Sequence, residues 1–207
     1  MANPEQENSS SPAMEGDIEV KGRDVNNLQA ENVTVRYGSA GDIQAQTVLI
    51  SQAVAGQVEA ETVELRQAGA QSIRGHAVNV RQGGVVQAQA ENLSMTQGGL
   101  VFADTQAANF TASNVGAILA SGEVKLDQSG ARAVITRGDV NMDQCGSGVV
   151  VGRTVSTGEN TGTILMVAGR IDGNVNAVFG PAASAAFGAT FALVIALILW
   201  LRRRLTG

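Results

Sequence analysis

At 207 residues the chain has material for one or two domains, yet only 3% of it is aromatic and 25 residues are glycine, which excludes an ordinary core anchored on large rings. Its net charge of −5 lacks the basic footprint by which nucleic acid is bound. One cysteine, Cys145, excludes an intrachain disulfide, and one histidine, His76, leaves almost no material for a Ser-His-Asp site or a zinc cluster.

Residues 1–12 (MANPEQENSSSP) are polar, with two prolines and a serine run. They are expected to form a disordered tail, and they carry no signal peptide with its basic and apolar stretches.

From Ala13 a fifteen-residue unit repeats. Leu28-Gln-Ala-Glu-Asn-Val33-Thr-Val35 is followed by Ile43-Gln-Ala-Gln-Thr-Val48-Leu-Ile50 and Val58-Glu-Ala-Glu-Thr-Val63-Glu-Leu65. Counting on, the openers are Ala13, Leu28, Ile43, Val58, Ile73, Ala88, Ala103, Leu119, Ile135 and Val150, with sixteen-residue steps into Leu119 and Ile135. Five and seven places after each opener the residue is apolar throughout, Thr157 excepted. A short fixed period is the mark of a solenoid. Alternation within the unit has the strand period of two, so the pairs at zero and two, and at five and seven, are expected to point inward. Glycines ten to thirteen places after the opener, among them Gly38, Gly69, Gly83, Gly98 and Gly130, are expected to turn the corners with positive φ. The fold expected is all-β: a single-stranded triangular β-solenoid over 13–179, with ~10–11 coils stacked ~4.8 Å apart.

Nine places after the opener stand Gln52, Gln67, Gln82, Gln97, Gln128 and Gln144, interrupted by Tyr37, Ala112 and Glu159. Inward-pointing amides stacked at a corner can bond to one another along the rod, as amide ladders do. The position just before them carries Lys21, Arg36, Arg66 and Arg81 early and Asp127 and Asp143 late. This column is either a solvated face or a set of lateral-contact charges that fixes the register of neighbouring rods.

Beyond Thr161 the repeat blurs into a closing coil, and Gly180-Pro181 stops it. Ala182 to Leu201 contains no charge and is long enough to cross a bilayer as a helix over 180–201. Trp200 and Arg202, Arg203 and Arg204, in the basic tail 202–207, suit the membrane interface. Gly180, Ser184, Gly188, Ala192 and Ala196 form a stripe of small residues every fourth place, which favours close packing of helices in lipid. Insertion without a signal peptide leaves the solenoid on the cytoplasmic side of a single C-terminal span. The arginine triplet, by the positive-inside rule, pulls the other way.

No catalytic, cofactor or metal site is legible. His76 falls at an outward corner, Cys145 stands where other coils have small residues, and the six-residue period of histidine-dependent β-helix acyltransferases is absent. The Gly-Gly pairs lack the context and the Lys-Ser/Thr of a phosphate loop. The coils with Gly-Asp-Ile at 16–18 and 41–43, and Val-Ala-Gly-Arg-Ile-Asp-Gly-Asn-Val at 167–175, resemble the bactofilins, polymer-forming bacterial cytoskeletal β-helices. The resemblance implies a triangular β-helix that polymerises without nucleotide at the cytoplasmic face of a membrane. This chain has shorter coils and ends in an apolar segment of its own. The function expected is a non-enzymatic, membrane-anchored scaffold whose partners are itself and the bilayer. The alternative is a monomeric membrane-tethered adaptor that presents a solenoid face to another protein.

Overall fold

The computed structural model describes residues 16–173 and 176–177. The expected tail 1–12, the opener Ala13, the expected spanning helix 180–201 and the basic tail 202–207 lie outside the described residues. Within them the chain is all-β. Its strands are β1 (Asp17–Lys21), β2 (Asp24–Gln29), β3 (Asn32–Arg36), β4 (Ser39–Ser51), β5 (Val54–Arg66), β6 (Gly69–Thr111), β7 (Asn114–Ala120), β8 (Val124–Asp127), β9 (Gly130–Thr136), β10 (Asp139–Asp143), β11 (Gly146–Thr157), β12 (Gly162–Gly173) and β13 (Asn176–Ala177). Every pairing is parallel, between one coil and the next, and they wind into a solenoid of about 10 turns. Among the described residues no helix is long and apolar enough to cross a membrane.

The repeat becomes register directly. Ile43 pairs with Val58 and Val58 with Ile73, while Val48 pairs with Val63 and Val63 with Val78. Each inward residue therefore lies against its own equivalents above and below. A fifth inward column, three places before the opener, adds Ala40, Ala55, Ala70, Val85, Leu100 and Val115. Over the coils from Ala40 to Ala103 this column and the opener trade volume. Where this column is small (Ala40, Ala55, Ala70) the opener is large (Ile43, Val58, Ile73). Where it grows to Val85 and Leu100 the openers shrink to Ala88 and Ala103. Phe110, fully buried, shares its coil with Ala103 and Ala108. At the neighbouring corner a Cβ on Gly98 would collide with the Gly83 carbonyl of the preceding coil and stand 3.3 Å from the Met95 sulfur, so only glycine fits there.

The longer coils are built differently from the sequence count. Ala103 pairs with Ile118 and Ile118 with Val134, so Ile118 and Val134 are the buried openers. Leu119 and Ile135 point outward and are 44% and 47% exposed. The sixteenth residue enters after the inward pair, at Ser121-Gly122-Glu123 and Arg137-Gly138-Asp139, where the corner widens. There the Thr136 hydroxyl donates to the Gly122 carbonyl (2.6 Å) and accepts the Gly138 N–H (3.0 Å). A third insertion, near Gly158, makes Gly146 pair with Gly162 and puts Asn160 rather than Glu159 at the next positive-φ corner.

Replacing Phe110 by Ala removes the only fully buried ring among the described residues. It is expected to cost about 3–5 kcal/mol, against less than about 0.5 kcal/mol for the exposed Gln44→Ala, as read from urea unfolding followed by circular dichroism.

Candidate functional site

One corner of the solenoid runs unbroken along the rod in the left-handed conformation. Its residues are Gly22 (φ 65°), Tyr37 (56°), Gln52 (51°), Gln67 (52°), Gln82 (56°), Gln97 (56°), Ala112 (48°), Gln128 (48°), Gln144 (50°) and Asn160 (53°). The glycines expected to supply this conformation lie elsewhere: the only others with positive φ among the described residues are Gly16 and Gly173. A left-handed residue turns its N–H along the rod, and the Gln52 and Gln67 N–H groups donate to the Arg66 and Arg81 carbonyls of the following coil (3.0 and 2.9 Å). A side chain in this conformation costs ~1–2 kcal/mol.

The glutamine side chains at this corner are exposed rather than inward, because the turn swings them off the core. They still meet one another. Gln52 Nε2 donates to Gln67 Oε1 (3.0 Å), Gln67 Nε2 to Gln82 Oε1 (3.2 Å) and Gln82 Nε2 to Gln97 Oε1 (3.0 Å). All three bonds point the same way, so the amide dipoles add along four coils. Ala112 ends the series, and Gln128 and Gln144 occupy the same corner beyond it.

Beside the amides, Lys21, Arg36, Ser51, Arg66 and Arg81 are in one register, and Asp127 and Asp143 continue the column from Thr111. All are exposed except the half-buried Ser51 and Thr111. Arg66 is held by Glu64 on its own strand (2.8 Å), and Arg36 lies 4.0 Å from Glu19. The small-residue stripe Gly180, Ser184, Gly188, Ala192 and Ala196, and the interface anchors Trp200, Arg202, Arg203 and Arg204, lie outside the described residues.

The residue after each left-handed corner fills the space beneath it: Ala53, Ala68, Gly83, Gly98, Ser113, Ser129, Cys145 and Thr161 in successive coils. The Ser113 and Ser129 hydroxyls donate to the carbonyls of Thr111 (2.8 Å) and Asp127 (2.7 Å), and the Cys145 thiol does the same to Asp143 (2.8 Å). Burial pushes the Cys145 thiol above its ordinary pKa, which suppresses the reactive thiolate. His76 is exposed, 3.3 Å from Glu91. Among the described residues no group of three or more His, Cys, Asp or Glu could hold a metal ion. Arg153 clasps Asp139 through two nitrogens (3.3 and 3.2 Å) and by that hydrogen bonding holds its carboxyl below the usual range. The clasp is therefore made at neutral pH and is released as acid protonates the carboxylate.

A feature that counting alone hides is the outward column of the opener strand. In register it reads Gln44, Glu59, Arg74, Gln89 and Asp104, then Leu119, Ile135, Val151 and Val167. Its neighbour, two residues earlier along each strand, reads Asp42, Gln57 and Ser72, then Phe102, Ala117, Ala133, Val149 and Leu165. One face of the rod thus changes from polar to apolar after Asp104.

Removing two amide bonds by Gln67→Ala is expected to cost about 1–2 kcal/mol. Gln67→Gly, which also relieves the left-handed strain, should cost less, and Gln67→Val more, as measured by denaturant titration. Cys145→Ser should change stability by less than about 1 kcal/mol, since serine already serves at Ser113 and Ser129. In the folded wild-type chain the thiol should stay silent to a thiol reagent until denaturant is added.

Comparison with known proteins yields no matching family model, and neither a curated protein nor a solved structure matches the chain. The geometry alone has to carry the functional reading.

Proposed function

We propose that the chain is a membrane-anchored scaffold that self-assembles through its solenoid and its C-terminal apolar segment, with no enzymatic role. The observation that carries this reading is the open end of the rod. Among the described residues, β1 pairs only with β3 and β2 only with β4, so no described strand pairs the outer edge of the first coil. Such an edge templates the addition of another strand unless something covers it. The pattern-level resemblance to the bactofilins supports the same reading.

Anchoring constrains how assembly runs. With the C-terminal end committed to a bilayer through 180–201, the open end of one rod meets the open end of another. That contact is isologous and closes at a dimer. Growth beyond a dimer then falls to lateral contacts: the charge column from Lys21 to Asp143 on the rod, and the stripe Gly180, Ser184, Gly188, Ala192 and Ala196 in the membrane. The cytoplasmic placement of the solenoid belongs to the same proposal, and protease protection of the rod in sealed vesicles tests it.

Electron microscopy and light scattering of the detergent-solubilised full chain should show dimers or longer assemblies; a monodisperse monomer at high concentration overturns the proposal. Arg66→Glu combined with Arg81→Glu should weaken lateral association while leaving the end contact. If assembly is unchanged, the charge column has no part in it.

A further inference from the structure

The scaffold reading does not use the face that turns apolar after Asp104. Leu119, Ile135 and Val167 are each between 44% and 52% exposed, on a flat run of parallel strand with no element packed over it among the described residues. Contiguous apolar surface of this kind marks a contact site.

Three observations indicate what covers it. The first is position: the apolar coils are the last ones, and the charge-free run from Ala182 begins nine places after Gly173, at the end of β12. The second is charge. On β9 the outward Ala133 and Ile135 are bracketed by Arg132 and Arg137, and Arg153 follows Arg137 at the same corner one coil on. Arg153 is matched by Asp139 (3.2 Å), but among the described residues no carboxylate pairs with Arg132 or Arg137. A basic rim on a chain of net charge −5 points to an anionic counterpart. The third is composition. The outward residues beyond Phe102 are aliphatic, without the aromatic anchors that make a tight protein contact. Aliphatic side chains with flanking arginines are what the boundary between headgroups and acyl chains accepts.

We infer that the outward face of coils 118–168, centred on Leu119, Ile135, Val151 and Val167 and rimmed by Arg132 and Arg137, docks on the headgroup layer of an anionic bilayer, so that the anchored end of the rod lies along the membrane. The inference rests on the anchored reading proposed above and specifies its geometry. A rod held this way keeps its C-terminal coils at the interface and lifts its polar N-terminal coils and open end toward solvent.

The test uses the full chain with Cys145→Ser as background and a single environment-sensitive fluorophore on Ile135→Cys, Leu119→Cys or, as control, Gln44→Cys in the same column. Each protein is reconstituted in vesicles of equal parts phosphatidylcholine and phosphatidylserine, with or without a phospholipid spin-labelled near the headgroup. At positions 135 and 119 the spin label should quench emission about twofold or more, as expected for an interfacial apolar face, and position 44 should be unaffected. Arg132→Glu with Arg137→Glu, or high salt, should reduce the quenching. Protein that floats with the vesicles but whose labels at 135 and 119 are unquenched overturns this inference alone. Energy transfer between labels on different copies, in place of lipid quenching, overturns it in favour of a second copy. Protein that does not float with the vesicles overturns the anchored reading and this inference with it.

Discussion

Parallel stacking at fixed register is the constraint on which everything else in this protein depends. Each coil hands its hydrogen bonds to the next, so a residue is locked above and below its own equivalents, as Val48, Val63 and Val78 are. A globular core can compensate a small residue with a large one from a distant element. Here much of the exchange is made inside one coil, although Val115 and Ile118 are both large. The trade of Ile43 and Ala40 for Ala88 and Val85 is that exchange, and Phe110 is tolerated because Ala103 and Ala108 shrink beside it.

The same constraint explains the glutamine corner. A left-handed turn in every coil invites glycine, which adopts the conformation freely but weakens the fold by about 0.5–1 kcal/mol through its unfolded-state entropy. Glutamine accepts ~1–2 kcal/mol of backbone strain and recovers ~0.5–1.5 kcal/mol for each amide bond it makes. An isolated glutamine at such a corner would be a poor exchange, since it has no partner. Repetition changes the sum, because every added coil supplies both the next acceptor and the next donor. The ladder is thus a property of the stack rather than of any one residue, and it lapses where Ala112 interrupts it.

Much of the architecture is legible because period-two alternation and a fifteen-residue repeat are independent signals that agree. The strands, the parallel register and the columns at five and seven places follow from them. The position of the extra residue does not follow, since Ile118-Leu119 and Val134-Ile135 are both apolar pairs and either member can be counted as the opener. Only backbone pairing separates them, and with it the outward apolar column appears. The inward column at Ala40, Val85 and Leu100 escapes for another reason: it is alanine in three coils, then Val85, Leu100 and Val115, then Ala131, and so shows no constant size. The corners mislead because glycine is the residue associated with positive φ, whereas in this chain Gly83 and Gly98 are needed for closeness to a neighbouring coil.

These readings combine into a rod with a direction. Between Arg81 and Asp127 several columns change: the opener face turns from polar to apolar after Asp104, and the corner column passes from arginine through Thr96 and Thr111 to aspartate. In the same stretch the amide bonds stop, the coil lengthens to sixteen residues, and Ser113 and Ser129 replace the alanine and glycine beneath the corner. A repeat selected only for stacking would keep one solution throughout, since each coil faces the same packing problem. Two solutions joined at Phe110 imply that the two halves face different surroundings. The first half keeps a polar outward column on the opener strand (Gln44, Glu59, Arg74, Gln89, Asp104), and the second gives up that polarity at Leu119, Ile135, Val151 and Val167. The changeover therefore divides one continuous sheet into two stretches whose outward columns and corners are built differently, and the scaffold proposed above would use them as its associating and its anchored ends.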